Sequence, residues 1–338
     1  MVRGRGAWAA PGPPDGARPG AAPGLRARAE PAGANVSFPL RYVLVDVFGE
    51  KPFTGNQLAV VLDGAALSAR EMQDIAREFN LSETTFVLGA HEGERGYPVR
   101  IFTPERELPF AGHPTLGTAW VIDNLLRTRP SGRVTLDLAV GSIPVARDEA
   151  TGLLWMTQRR PTFHERVAAT EAAALVSLAP QDLDERFPAQ VVSTGLPFLL
   201  IPLCSLDAVR RARVDAGAHQ RWRAHSAAAF QLVFAHEAYD PRHHLNARVF
   251  AHEVGMPEDP ATGSANGCLA AYLVQHRYFG SEAVDVVVEQ GFEIGRPSLL
   301  YLRASRLDSA GTGEGDPIQV QVGGRVWQIG EGQLLRPT

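Results

Sequence analysis

From residue 41 onward the chain is cut into short apolar runs, most of them too brief for a helix and bounded by glycine, proline or charged residues. RYVLVDVF (41–48) and LAVVL (58–62) are β-branched and aromatic, which predicts two strands joined by the turn-rich GEKPFTGNQ. The period then changes. Met72, Ile75, Ala76 and Phe79 recur at helical spacing behind the S-x-x-E box of Ser68 and Glu71, so a helix is expected to start at Ser68 and stop at Asn80. Strand patterns resume with TTFVL (84–88), YPVRIFT (97–103), VTLDLAV (134–140), SIPVA (142–146) and LLWMTQ (153–158). They continue with QVVSTGLPFLLIPL (190–203), AAFQLVFA (228–235), ARVFA (247–251), VDVVVEQG (284–291) and SLLYLRA (298–304). IQVQV-GG-RVWQI (318–329) reads as a closing hairpin whose Gly323-Gly324 pair suits a primed turn. Many strands with an occasional helix predict an α+β fold, because a doubly wound sheet needs strict βαβα alternation.

One device occurs twice. PFAGHPTLGTAWVI (109–122) and PATGSANGCLAAYLV (260–274) each run Pro, two residues, Gly, a polar residue and then a small-residue apolar stretch. Arg100-Ile101-Phe102 precedes the first copy and Arg248-Val249-Phe250 the second, with Arg-to-Gly intervals 100 to 112 and 248 to 263 that differ by a loop. This pattern predicts an internal duplication and two domains of similar fold. The runs after Gly112 and Gly263 read as helices, whose first amides lack intrahelical partners and so favour an anion. Pro114 suits a first helical position, which places His113 at the N-cap and Ser264 at the matching place. Two facing domains would then bring both helix N-termini to one cleft. Glu83, at a helix-to-strand junction, and Asp259, four residues before Gly263, are the carboxylates that could work there.

Composition narrows the function. A chain of 338 residues with 45% hydrophobic and 21% charged residues is an ordinary globular protein of about two domains. A net charge of -4 leaves no electrostatic footprint for nucleic acid. No apolar run reaches the roughly 18 residues of a membrane span, so no membrane partner is expected. Cys204 and Cys268, both in apolar surroundings, read as buried thiols in a reducing cytoplasm. Residues 1–38 are rich in Ala, Gly, Pro and Arg, lack the apolar core of a secretory signal and predict a disordered extension. Lys51 is the single candidate for a Schiff base, and its Gly/Pro turn gives it little support. GTGEG (311–315) precedes strand-like sequence, so it is a loop and not a dinucleotide fingerprint. His243-His244 has no partner at metal-ligand spacing and reads as a surface loop.

With these segments in view the chain resembles the PhzF-like family of isomerases, which share the diaminopimelate epimerase fold. VDVFGEKPFTGNQLAVVL, AREFNLSETTFVL, RIFTPERELPFAGHPTLGTA, MPEDPATGSANG and EQGFEIGRPSL carry the resemblance, in order, from about Arg41 to the C-terminus. It implies two pseudo-symmetric domains, 39–155 and 156–324, each a curved mixed sheet around a central helix, with strands from 325–338 returning to the first. It also implies that Glu83 is the acid/base, that His113 and Asp259 are its polar partners, and that Gly112, Thr262, Gly263 and Ser264 line the substrate site. The related epimerases use two opposed cysteines, and the matching positions here are Ala111 and Thr262, so two-thiol racemisation is not open to this chain. The implied activity is cofactor-independent isomerisation of a small acidic metabolite, like that of trans-2,3-dihydro-3-hydroxyanthranilate, by a cytoplasmic homodimer. A regulatory small-acid-binding protein on the same fold is the alternative. Gln57, where proline is usual, and the PERE loop (104–107) depart from the family pattern.

Overall fold

A computed structural model describes residues 39–89, 94–228, 230–252, 256–307 and 317–335. The segments 1–38 and 311–315, read above as a disordered extension and a loop, lie outside them. The first half of the chain contains β1 (Leu40–Val47), β2 (Asn56–Val61), β3 (Glu83–Val87), β4 (Tyr97–Phe102), β5 (Glu107–Leu108), β6 (Arg133–Leu138), β7 (Gly141–Arg147) and β8 (Leu154–Thr157). Their ladder runs β1·β2 antiparallel, β2·β3 parallel and β3·β4 antiparallel; β4 then takes β5 antiparallel and β6 parallel, and β6·β7 and β7·β8 are antiparallel.

The second half repeats this order. It holds β9 (Thr162–Val167), β10 (Ala189–Ser193), β11 (Pro197–Pro202), β12 (Phe230–Ala235), β13 (Leu245–Ala251), β14 (Met256–Asp259), β15 (Ala283–Gln290), β16 (Ser298–Arg306) and β17 (Ile318–Gly324). β10·β11 is antiparallel, β11·β12 parallel and β12·β13 antiparallel; β13 takes β14 antiparallel and β15 parallel, and β15·β16 and β16·β17 are antiparallel. Side-chain chemistry is repeated as well. Arg100 forks onto Glu107 at 2.7 and 2.6 Å and lies over Phe102, while Arg248 forks onto Glu258 at 2.9 and 2.6 Å and lies over Phe250. Glu107 and Glu258 each stand five residues before the device's glycine, so the longer interval in the second copy falls between Arg248 and Glu258.

Of the helices α1 (Ala69–Phe79), α2 (Gly112–Val121), α3 (Ala169–Leu175), α4 (Leu206–Arg211), α5 (Ala216–Arg223) and α6 (Gly263–Gln275), two lie inside the curved sheets. α2 packs on β1, β2, β3, β6, β7 and β8, and α6 on β10, β11, β15, β16 and β17. Every residue of α6 from Gly263 to Val274 is buried, as its lack of any charged residue requires of a helix with no water-facing side. α1, by contrast, is amphipathic. Its capping box is formed as expected, with Glu71 N–H donating to Ser68 Oγ at 3.3 Å and Ser68 N–H to Glu71 Oε2 at 2.9 Å, and Asn80 ends it in the left-handed region at φ 50°.

Four local readings change. The expected closing hairpin does not form: β17 pairs with β16 and β8, whereas β18 (Val326–Leu334) crosses to pair antiparallel with β1. A primed turn needs positive φ, which neither glycine has. They are small because of what packs on them, since a Cβ on Gly324 would lie 2.3 Å from Phe48 Cδ1 and one on Gly323 2.7 Å from Trp155 Cδ2. QVVSTGLPFLLIPL is two strands, β10 and β11, folded back at Gly195 with φ 140°. Cys268 is buried as expected, and burial pushes its thiol up to about 12, but Cys204 is exposed at the loop after β11. His243 does lie in a loop, yet its ring turns inward and its Nδ1 sits 2.8 Å from the fully buried Glu289. Among the described residues no helix is long and apolar enough to cross a membrane.

Candidate active site

The two copies of the device meet head to head. A Cβ placed on Gly112 would lie 2.7 Å from both the Cα of Gly263 and the amide nitrogen of Ser264. The glycines therefore allow the two helix N-termini to touch, a closer contact than the approach to a ligand that motivates such residues in sequence. Ala111 caps α2 and Thr262 caps α6, so Gly112 and Gly263 are the first helical residues and His113 and Ser264 the second. The expectation of His113 at the N-cap is corrected by two residues, since the cap is Ala111. Pro114 is third in the helix, where its missing N–H still costs no intrahelical bond.

Glu83 opens β3 and faces Leu58 across the parallel pair, which aims its side chain along the end of the sheet toward α2. Its Oε2 lies 3.5 Å from His113 Nε2. Neither atom has a hydrogen-bond partner among the described residues, although both are buried. Burial lowers the His113 imidazole to about 3, against the opposing pull of the Gln57 backbone carbonyl, so the ring is neutral at ordinary pH. The 3.5 Å contact is thus one between a carboxyl and a neutral imidazole, not an ion pair.

Asp259 ends β14 and comes to the same point from the second half. Its Oδ2 accepts the Thr262 hydroxyl at 2.5 Å and its Oδ1 accepts the Asn56 amide at 2.8 Å. Gln290, at the end of β15, braces this loop by donating to the Asp259 carbonyl at 2.8 Å and to Thr262 Oγ1 at 3.0 Å, while accepting from Asn266 at 2.8 Å. Burial still outweighs the two donors and lifts Asp259 to about 6. Glu83 is held well above the usual carboxylate range, first by burial and then by the charge of Asp259. All seven residues singled out in sequence therefore collect at the α2–α6 junction, with Thr262 serving as a cap whose hydroxyl is committed to Asp259. Asn56 and Gln290 were not singled out; Asn56 stands at the end of the turn-rich GEKPFTGNQ and Gln290 near the end of the strand pattern VDVVVEQG, and neither carries a local sign of a site.

Two buried carboxyls with raised values make stability depend on pH in a definite direction. Native Asp259 and Glu83 bind protons more tightly than their unfolded counterparts. Their stabilising contribution is full below about pH 4 and is lost as pH rises through 6 and into the higher range of Glu83. Glu83→Gln removes one of these groups, so its melting temperature relative to the wild type should be higher at pH 8 than at pH 5. Thermal denaturation at the two pH values measures the difference.

The profile of the phenazine biosynthesis-like PhzC-PhzF family matches residues 45–328. An uncharacterized isomerase of Mesorhizobium japonicum is 33% identical over 305 residues, covering 87% of this chain and 98% of that one. A trans-2,3-dihydro-3-hydroxyanthranilate isomerase of Pseudomonas aeruginosa is 36% identical over 270 residues, covering 78% and 90%. The crystal structure of a PhzF-family phenazine biosynthesis protein of Bacillus anthracis superposes with a TM-score of 0.78 at 26% identity, over 89% of this chain and 100% of that one. The matched span takes in both copies of the device together with Glu83 and Asp259, and the chain belongs to the PhzC-PhzF family of phenazine biosynthesis-like proteins.

Proposed function

We propose that the protein is a cofactor-independent isomerase that moves a proton between two carbons of a small acidic substrate, with Glu83 as its single acid/base. The observation that carries this reading is the Glu83 carboxyl itself: buried, held above its ordinary value, and with Oε2 unsatisfied 3.5 Å from a neutral imidazole. A general base works best with a value near the operating pH, and a carboxyl raised by burial approaches that range. In the forward step the ionised carboxylate takes a proton from carbon, and the C–H bonding pair enters the adjoining π system. The negative charge that develops is met by the positive ends of α2 and α6. The same carboxylic acid then returns the proton to a second carbon as the double bond shifts. Nothing is oxidised, reduced or lost. Gly112, Gly263 and Ser264 line the substrate side, burial and the charge of Asp259 set the acidity of Glu83, and His113 stands beside it as a neutral polar partner.

The repeated ladder and the paired Arg–Glu forks support two lobes, 39–155 with 325–338 and 156–324, with the site at their junction. The family membership supports a cytoplasmic homodimer, which sedimentation would read directly. The test of activity uses trans-2,3-dihydro-3-hydroxyanthranilate, the compound in the name of the Pseudomonas aeruginosa relative. The proposal expects conversion to its double-bond isomer without added cofactor. Saturable binding of that acid with no turnover would replace it by the small-acid-binding alternative.

A further inference from the structure

Asn56 opens β2 and is 1% exposed. Its side-chain nitrogen lies 2.8 Å from Asp259 Oδ1, 3.0 Å from the Ala261 carbonyl oxygen and 3.2 Å from His113 Nδ1. The two hydrogens of the NH2 group go to the first two partners, both in the second half of the chain, while Asn56 itself stands in the first, so this one group spans the junction. Ionised Asp259 and the Ala261 carbonyl only accept, which identifies the atom facing them as nitrogen. We infer that Asn56 is the positioning residue of the site, holding Asp259 as a charged carboxylate and tying its loop to β2. The inference deepens the isomerase reading and rests on it for turnover, but its structural consequence can be read in the free protein.

Four titratable or charged groups surround Asp259. Glu83 on β3 acts on it by charge from the first half, His113 on α2 lies beyond the Asn56 amide, and Glu258 precedes it on β14, itself ion-paired with Arg248 on β13 at 2.6 Å. Without the amide, the charged form of Asp259 loses a charge-assisted hydrogen bond and keeps only the Thr262 hydroxyl. Its midpoint should then rise. A neutral Asp259 no longer opposes ionisation of Glu83, whose midpoint should fall. Opposite movements distinguish this role from simple loosening, because water entering a damaged site would bring both carboxyls down toward ordinary values.

The experiment is a ¹³C carboxyl NMR titration of the free full-length protein as wild type, Asn56→Leu, which keeps bulk without a donor, and Asn56→Ala, with melting temperatures alongside. Loss of one hydrogen bond to a charged group predicts that Asp259 moves up by about one pH unit or more while Glu83 moves down. With trans-2,3-dihydro-3-hydroxyanthranilate as substrate, kcat should fall about 10- to 100-fold, its pH profile should shift with Glu83, and KM should change little. An unmoved Asp259, or a parallel fall of both carboxyls in whichever variant folds, overturns the inference. Opposite shifts in proteins that turn over no substrate would uphold the positioning role and count against the isomerase reading instead.

Discussion

Glu83→Gln should abolish turnover, lowering kcat about 10³-fold or more, while the protein stays folded and binds its substrate with nearly unchanged affinity. The substitution keeps the planar shape of the side chain and its approach to His113, and it removes the carboxyl proposed to take up and return the proton. Single-turnover kinetics with a binding titration on the same preparation separates the two quantities. Near-wild-type kcat would mean that another residue carries the proton. Lost binding would mean that Glu83 recognises the substrate instead of reacting with it. His113 is no substitute as base: a ring held at about 3 is neutral already and too weak to compete near neutral pH.

The second large effect is on the junction of α2 and α6. Gly112→Ala should destabilise the protein by about 1–3 kcal/mol, as overpacking of a closely packed interior does, and should lower activity by pushing the two helix N-termini apart. The new Cβ would meet backbone atoms of Gly263 and Ser264 at 2.7 Å, and backbone cannot rotate away as a side chain can. Gly263→Ala should be milder, because its Cβ would lie 3.2 Å from Gly112 Cα and from the Phe48 ring, contacts that a small shift relieves. Urea denaturation of the two variants gives the order. Equal or reversed losses would show that the glycines serve something other than the contact between the helices.

What could be read in advance follows the range of the interactions involved. Ser68, Glu71 and Asn80 announce α1 because a capping box and a left-handed stop are settled within a few residues. The doubled device was legible for a similar reason: Gly112 and Gly263 each carry their local signal, and similarity between two stretches needs no knowledge of the fold. The short helices α4 and α5 passed unread although Ser205 and Asp215 cap them by accepting from Ala208 and Ala218, since six to eight residues give too little period to register. Gly323-Gly324 misled because the same dipeptide serves a turn or a tight packing site, and the choice rests with Phe48 and Trp155, far away in sequence. Asn56 was the costliest omission. Its role depends on Asp259, 203 positions later, and in isolation an asparagine after glycine says only that the chain turns.

One carboxyl acting as both base and acid leaves a mark that no second base can imitate. Substrate carrying deuterium at the carbon that loses its proton is to be converted in ordinary water and the product analysed for label at the carbon that gains one. Because the Glu83 carboxyl is buried and holds a single proton, the account predicts that a measurable share of the deuterium travels from the first carbon to the second in wild-type protein. Product whose new hydrogen comes wholly from solvent, at every stage of the reaction, would contradict it.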